Sequence, residues 1–143
     1  MAIRFFSDGI SFQPEGKRKI SQWLKQVAAV EGKKIGSLSY IFVSDETILD
    51  INKKYLQHDY YTDIITFDNS IGDIISGEMY ISVDTVKSNA KDYHAEFRDE
   101  LLRVMVHGVL HLCGYKDKTT KEQNEMRNAE TRHLDYWSRI VDA

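Results

Sequence analysis

Cys113 is the one cysteine in a chain of 143 residues. No internal disulfide can form and no thiolate-built zinc cluster can be assembled, so histidines and carboxylates are left as metal donors, in a reducing compartment. Proline is equally scarce, with Pro14 alone, and no tract rich in serine, glutamine or glycine breaks the sequence. A disordered tail or flexible linker is therefore not indicated. Long apolar runs are missing too. None approaches the roughly 18 residues of a membrane span, and the N-terminal MAIRFFSDGI carries no apolar secretory core. The expectation is a cytoplasmic protein with no membrane attachment. A strongly basic balance is also lacking, since the formal net charge is −3, so nothing in the total charge advertises a nucleic-acid binder. Basic residues gather only locally, at Lys17, Arg18 and Lys19, at Lys33 and Lys34, at Lys53 and Lys54, and at Lys116, Lys118 and Lys121. Taken alone, each such run reads as a solvated face.

What is present suffices for one folded unit. Hydrophobic residues make up 42% of the chain, enough for a core without disulfide support, and residues 1–143 read as a single domain. AIRFF (2–6) reads as a strand, and a helix follows from Glu15 to Val30 with Ile20, Trp23, Leu24, Val27 and Val30 on its buried face. SLSYIFVSD (37–45) is a largely buried strand, and Asp45 caps a short helix that ends by Tyr55. DIITF (63–67) and GEMYIS (77–82) are further strands, and Val83 to Tyr93 is helical. From Glu96 to Leu112 apolar residues wrap most of the circumference, so this helix is enclosed on nearly all sides and stops at Gly114. Thr119 with Glu122, or Thr120 with Gln123, opens a last helix whose buried line is Met126, Ala129, His133, Trp137 and Ile140. The sum is an α+β fold, with about four strands in a mixed sheet and about five helices.

His107 and His111 lie four apart on the enclosed helix, so both imidazoles leave one face about one turn apart. That step suits a single ion, because two Zn–N bonds of about 2.0–2.1 Å are reachable without strain. Two histidines in a buried helix can also each be satisfied by hydrogen bonds to their own neighbours. Gly108 permits a close approach on the flank of the pair, and the bend at Gly114 returns Tyr115, Lys116 and Asp117 toward it. Asp117 is thus the candidate third ligand. Three protein ligands leave a position for water, which favours catalysis over a closed structural site.

HGVLHLCGYKD (107–117) resembles the H-G-x-L-H-L-x-G-Y-D-H signature of the YbeY family of metal-dependent endoribonucleases. Asn52 with Tyr55, TDIITF (62–67) and GDI (72–74) are similar to further blocks of that family in the same order, so the likeness spans roughly residues 38 to 130. It implies a zincin-like fold with the metal on the central helix. It also implies a single-strand-specific endoribonuclease of ribosomal RNA maturation and quality control, including the 3′ end of 16S rRNA. His107 and His111 would act through an ion and its bound water, with Zn²⁺ or another divalent transition metal as cofactor. Single-stranded RNA would be the substrate, and the small ribosomal subunit and its assembly factors the partners. Asp117 stands where the family has a third histidine, Lys116 where it has an aspartate, and Leu56 where it has an arginine. Lys53, Lys54 and His58 are the candidates for holding substrate. Two rival readings are a zinc peptidase and a ribosome-associated binding factor with a structural metal. Against the first, Gly108 occupies the position where such peptidases keep their general base.

Several residues are read singly. His133 falls on an apolar line and is expected to be a hydrogen-bonded core histidine, His94 is expected at the surface, and Cys113 is expected to be a small buried hydrophobe. Asp63 and Asp73 could orient ligands or merely cap turns, and Glu100 could accept a proton or stand as a solvated helix carboxylate.

Overall fold

The computed structural model describes residues 2–56 and 62–142. In chain order the elements are β1 (Ala2–Ser7), α1 (Lys17–Val30), β2 (Lys34–Val43), α2 (Asp45–Leu56), β3 (Ile64–Asp68), β4 (Ile74–Ser82), α3 (Val83–Asp92), α4 (Phe97–Leu112) and α5 (Thr120–Asp142). The strands form one sheet in the order β1-β2-β4-β3. β1, β2 and β4 run parallel, joined by connections that contain helices, whereas β3 returns antiparallel to β4 through a short turn. β3 is therefore an antiparallel edge strand, and the arrangement is the expected α+β fold with a mixed sheet.

Alternation explains which face is covered. Leu38, Tyr40 and Phe42 of β2 and Met79 and Ile81 of β4 are fully buried, and they meet α1 and α4. Helix α4 buries Leu101, Leu102, Val104, Met105, Val106, Val109 and Leu110, so it lies between the sheet and the other helices as its all-round apolar pattern requires. The Tyr40 hydroxyl donates to the Met105 carbonyl at 2.9 Å, which pins α4 to the sheet. Trp23 of α1 donates from its indole nitrogen to the His133 carbonyl at 2.9 Å and meets Trp137 edge to face, tying α1 to α5.

Local signals set several boundaries. Thr119 and Glu122 form a reciprocal capping box: the Thr119 amide donates to Glu122 Oε1 at 2.9 Å, and the Glu122 amide donates to Thr119 Oγ1 at 3.1 Å. Asp45 does not cap α2. Ser44 does, accepting from the Thr47 amide through its hydroxyl and from the Ile48 amide through its carbonyl. Asp45 instead accepts hydrogen bonds from Ser82 and Thr85, joining α2 to α3. Val30 is exposed and not buried, because the buried stripe of α1 passes through Val27 and Ala28 and rotates past it. Met126, Ala129, His133 and Trp137 of α5 are buried as the spacing requires, while the side chain of Ile140 falls outside the described ones. Among the described residues no helix is long and apolar enough to cross a membrane.

Candidate metal centre

Helical spacing brings the rings of His107 and His111 edge to face, 4.6 Å apart between centroids. The exit of α4 supplies the third group. Gly114, at φ 110, ends the helix in a Schellman turn, its amide donating to the His111 carbonyl and that of Tyr115 to the Leu110 carbonyl, each at 3.0 Å. The chain is thereby folded back, and Asp117 Oδ2 lies 3.2 Å from His111 Nε2 and 3.4 Å from His107 Nε2. One donor atom from each of the three side chains lies within 4.8 Å of the others. This is a group that could hold a metal ion.

The orientation of the rings tests whether a cation fits. His111 Nδ1 stands 3.0 Å from the Tyr115 carbonyl oxygen, which can only accept, so the hydrogen sits on Nδ1. His107 Nδ1 stands 2.7 Å from Glu130 Oε2, with the same consequence. In the neutral rings both Nε2 lone pairs then face the Asp117 oxygen with no hydrogen between them. Such a cluster of acceptors repels itself until a positive ion is placed among them. Two imidazole nitrogens and a carboxylate oxygen suit a divalent transition metal. Among the described residues no fourth His, Cys, Asp or Glu joins the group.

Electrostatics bind the surroundings to the pair. Glu130 of α5 is 5% exposed and receives Arg103 Nη1 on its other oxygen at 2.9 Å. Burial pushes the Glu130 carboxyl up, but the hydrogen bonds from His107 and Arg103 outweigh it and hold the group below its ordinary range. For His107 burial acts downward, yet the Glu130 hydrogen bond and the charges of Glu130, Asp63 and Asp117 lift it above its usual value. Asp63, just before β3, is raised by burial. Gly108 faces the sheet: a Cβ there would stand 2.4 Å from Met79 Sδ and 3.0 Å from Ile64 Cδ1. The absent side chain lets α4 rest directly on β3 and β4 and sets both histidines beside the edge strand.

Two hollows meet at these side chains. One, of 560 Å³, opens along β3 with Asn52 and Leu56 of α2, Thr66, Asp68 and Lys118 in its walls. The other, of 420 Å³, lies between α3, α4 and α5 and shares Asp63, His107 and Asp117 with the first. Lys53 and Lys54 are exposed on α2 and stand outside both walls. The reason is helical: the cleft meets α2 at 52 and 56, and positions 53 and 54 are rotated by roughly 100° and 200° from that line. Among the described residues Lys118 is the lysine in the wall of the first hollow. His58 lies outside the described residues.

Other residues fall as follows. His133 is buried, with Nε2 at 2.9 Å from Glu31 Oε2, and Glu31 also accepts the Tyr115 hydroxyl at 2.9 Å. His94 is exposed. Asp73 is exposed and paired with Lys33 at 3.2 Å, away from the ligands. Cys113 is partly buried against the core, and burial followed by the charge of Glu31 pushes its thiol up to about 11. Glu100 is 7% exposed and lines the second hollow, so it is not a solvated helix carboxylate. Sequence reasoning missed Glu130 and Arg103. The available signal was a carboxylate sitting beside Ala129 on the buried side of α5, where a charge requires a partner.

A helix with two histidines and a returning carboxylate, laid on a mixed sheet beside its antiparallel edge strand, defines a zincin-like α+β protein with a group that could hold a metal. The chain belongs to the endoribonuclease YbeY family, whose sequence model, described as "Endoribonuclease YbeY", matches residues 4–138. It is 49% identical over 134 residues to "Endoribonuclease YbeY" of Bacteroides thetaiotaomicron, covering 94% of this chain and 98% of that protein. The protein of the same name from Parabacteroides distasonis is 50% identical, with 94% of each chain covered. The solution structure of TM1509 from Thermotoga maritima superposes with a TM-score of 0.69 at 26% identity, covering 99% of this chain and 92% of that one.

Proposed function

We propose that residues 1–143 form one catalytic domain, a cytoplasmic, metal-dependent endoribonuclease that cuts single-stranded RNA during ribosomal RNA maturation. The observation that carries this reading is the convergence of His107 Nε2, His111 Nε2 and Asp117 Oδ2 on one point at the meeting of two clefts. Zn²⁺ is the proposed ion, held by those three atoms, with the small ribosomal subunit and its assembly factors as partners. Bound there, a divalent ion would polarise a phosphoryl oxygen and lower the pKa of water so that hydroxide is available near neutral pH to attack phosphorus.

The chain's own groups do the rest. Glu130 and the Tyr115 carbonyl hold the hydrogens on the Nδ1 atoms and keep the Nε2 lone pairs inward. Asp63, beside His107 and in both cleft walls, offers a carboxylate that can take up a proton. Lys118 places a positive charge where the backbone of an RNA strand would pass. Leu56 lines the same wall, so the charge there comes as the compact ammonium of a lysine and not as a bidentate guanidinium.

The test pairs metal analysis of protein purified without affinity histidines with cleavage of single-stranded and duplex fragments of ribosomal RNA. Wild-type protein should carry one ion per chain and cut the single strand, and His111→Ala should lose both properties. Full metal occupancy with every RNA left intact would overturn the reading. Cosedimentation with the small subunit tests the proposed partner separately.

A further inference from the structure

We propose that the hollow between α3, α4 and α5 is a nucleobase pocket for a guanine beside the scissile phosphate, its ring stacked on Tyr93 and its Watson–Crick N–H edge held by the Glu100 carboxylate. This rests on the nuclease reading of the adjoining centre. Because the two hollows share Asp63, His107 and Asp117, a strand crossing the ligands has one cleft on each side. At 420 Å³ the second is of a size that takes one small ligand.

Its chemistry selects a base over a phosphate. Asp63, Glu100, Asp117 and Glu130 outnumber Arg103 and Arg127 in the lining, so an anion is repelled. Arg103 is already committed, to Glu130 at 2.9 Å and to Thr131 at 3.3 Å. Glu100 as a whole residue is 7% exposed and lines the hollow, and among the described residues no hydrogen bond to its carboxylate is formed. Among the described residues no side-chain oxygen is both sealed from solvent and without a partner, so the Glu100 oxygens are reached from the hollow and can accept from donors placed there. Guanine presents two N–H groups side by side on one edge, N1–H and the N2 amino group. Adenine and cytosine bring a single amino group there, and uracil a single imide N–H, so a two-oxygen acceptor favours guanine. At the rim, the Tyr93 ring closes α3 and is 62% exposed, as an aromatic platform for a base would be. The amides of Asn89, Gln123 and Asn124 complete the lining and can serve the ribose and the guanine carbonyl.

The experiment uses the metal-loaded full chain and measures binding of guanosine, inosine, adenosine, cytidine and uridine 5′-monophosphates. In parallel, it scores cleavage of single-stranded pentanucleotides that differ only in the central base. Guanosine monophosphate should bind about tenfold more tightly than the inosine form, which lacks the N2 amino group. Glu100→Gln should erase that advantage at unchanged metal content, because the amide replaces one acceptor with a donor. Tyr93→Ala, at a surface position, should weaken all five. Equal binding of the guanosine and inosine forms, or a guanine preference intact in Glu100→Gln, overturns the pocket. Guanine preference in binding with no RNA cut sustains the pocket and overturns the nuclease reading, whereas RNA cut with no base preference in either assay does the reverse.

Discussion

His107 and His111 face one point from one helix, yet different parts of the chain hold them. His111 is steadied locally, by the Tyr115 carbonyl four residues on, which the Gly114 bend delivers to within 3.0 Å. His107 is steadied from 23 residues downstream by Glu130 of α5, at 2.7 Å, and Glu130 is itself gripped by Arg103. The local contact is neutral and only orients the ring. The distant one carries charge, so it orients the ring and also raises its proton affinity. One ring therefore depends on how a helix ends, the other on how two helices pack.

Perturbations should separate the two. The largest effect is expected from removing either ring: His107→Ala and His111→Ala should each abolish stoichiometric metal binding, measured by elemental analysis, and an intact ion in either variant would break the equivalence of the pair. Glu130→Ala comes next. Metal affinity should fall about 10–100-fold as the His107 ring loses its anchor, and stability should drop by about 3–5 kcal/mol in denaturant unfolding, because Arg103 loses a buried partner. Gly114→Ala perturbs only the His111 side. A side chain at φ 110 strains the bend by about 1–3 kcal/mol, so metal affinity should weaken less than in Glu130→Ala, with a smaller loss of stability. A larger loss than in Glu130→Ala would invert the comparison.

The smallest effect is a pH shift. In the metal-free protein His107 titrates above its ordinary 6.5, and a protonated ring has no Nε2 lone pair for an ion. Metal affinity should therefore begin to fall on acidification above pH 6.5, and Glu130→Gln, which removes the charge that raises His107, should move that onset downward. The same pair gives the metal-free protein a stability window. The His107 contribution is present below its unfolded pKa and is lost as pH rises through its raised folded value. The Glu130 contribution, from a lowered pKa, is present above its unfolded value and is lost as pH falls through the lowered one. Both act together between about 4.5 and 6.5, where chemical unfolding of the metal-free protein should show their combined effect.

Much of this architecture is legible in short stretches of chain. The Thr119–Glu122 box, the Gly114 exit and the all-round apolar surface of α4 are written within a few residues and appear in the structure as read. The His107–His111 pair with Asp117 belongs to the same class, because a helical turn plus one bend brings the three together. Other readings failed where two neighbouring residues offered the same chemistry. Ser44 and Asp45 can both cap a helix, and the choice fell to Ser44 because Ser82 and Thr85 of another element claim the Asp45 carboxylate. Proximity in sequence to Asn52 did not say which side of α2 faces β3, where Asn52, Leu56 and Lys118 line the cleft among the described residues.

By itself, then, the sequence determined the elements, their order and the three side chains that converge, since each follows from periodicity or from a turn spanning a few residues. Only the tertiary structure decided that Glu130 and Arg103 brace His107, that Glu31 joins Tyr115 to His133, and that Glu100 and Tyr93 line one second hollow. Periodicity says which side of a helix is buried. It does not say which groups from distant elements will meet that side, because those partners are chosen by the packing of the sheet and helices around α4.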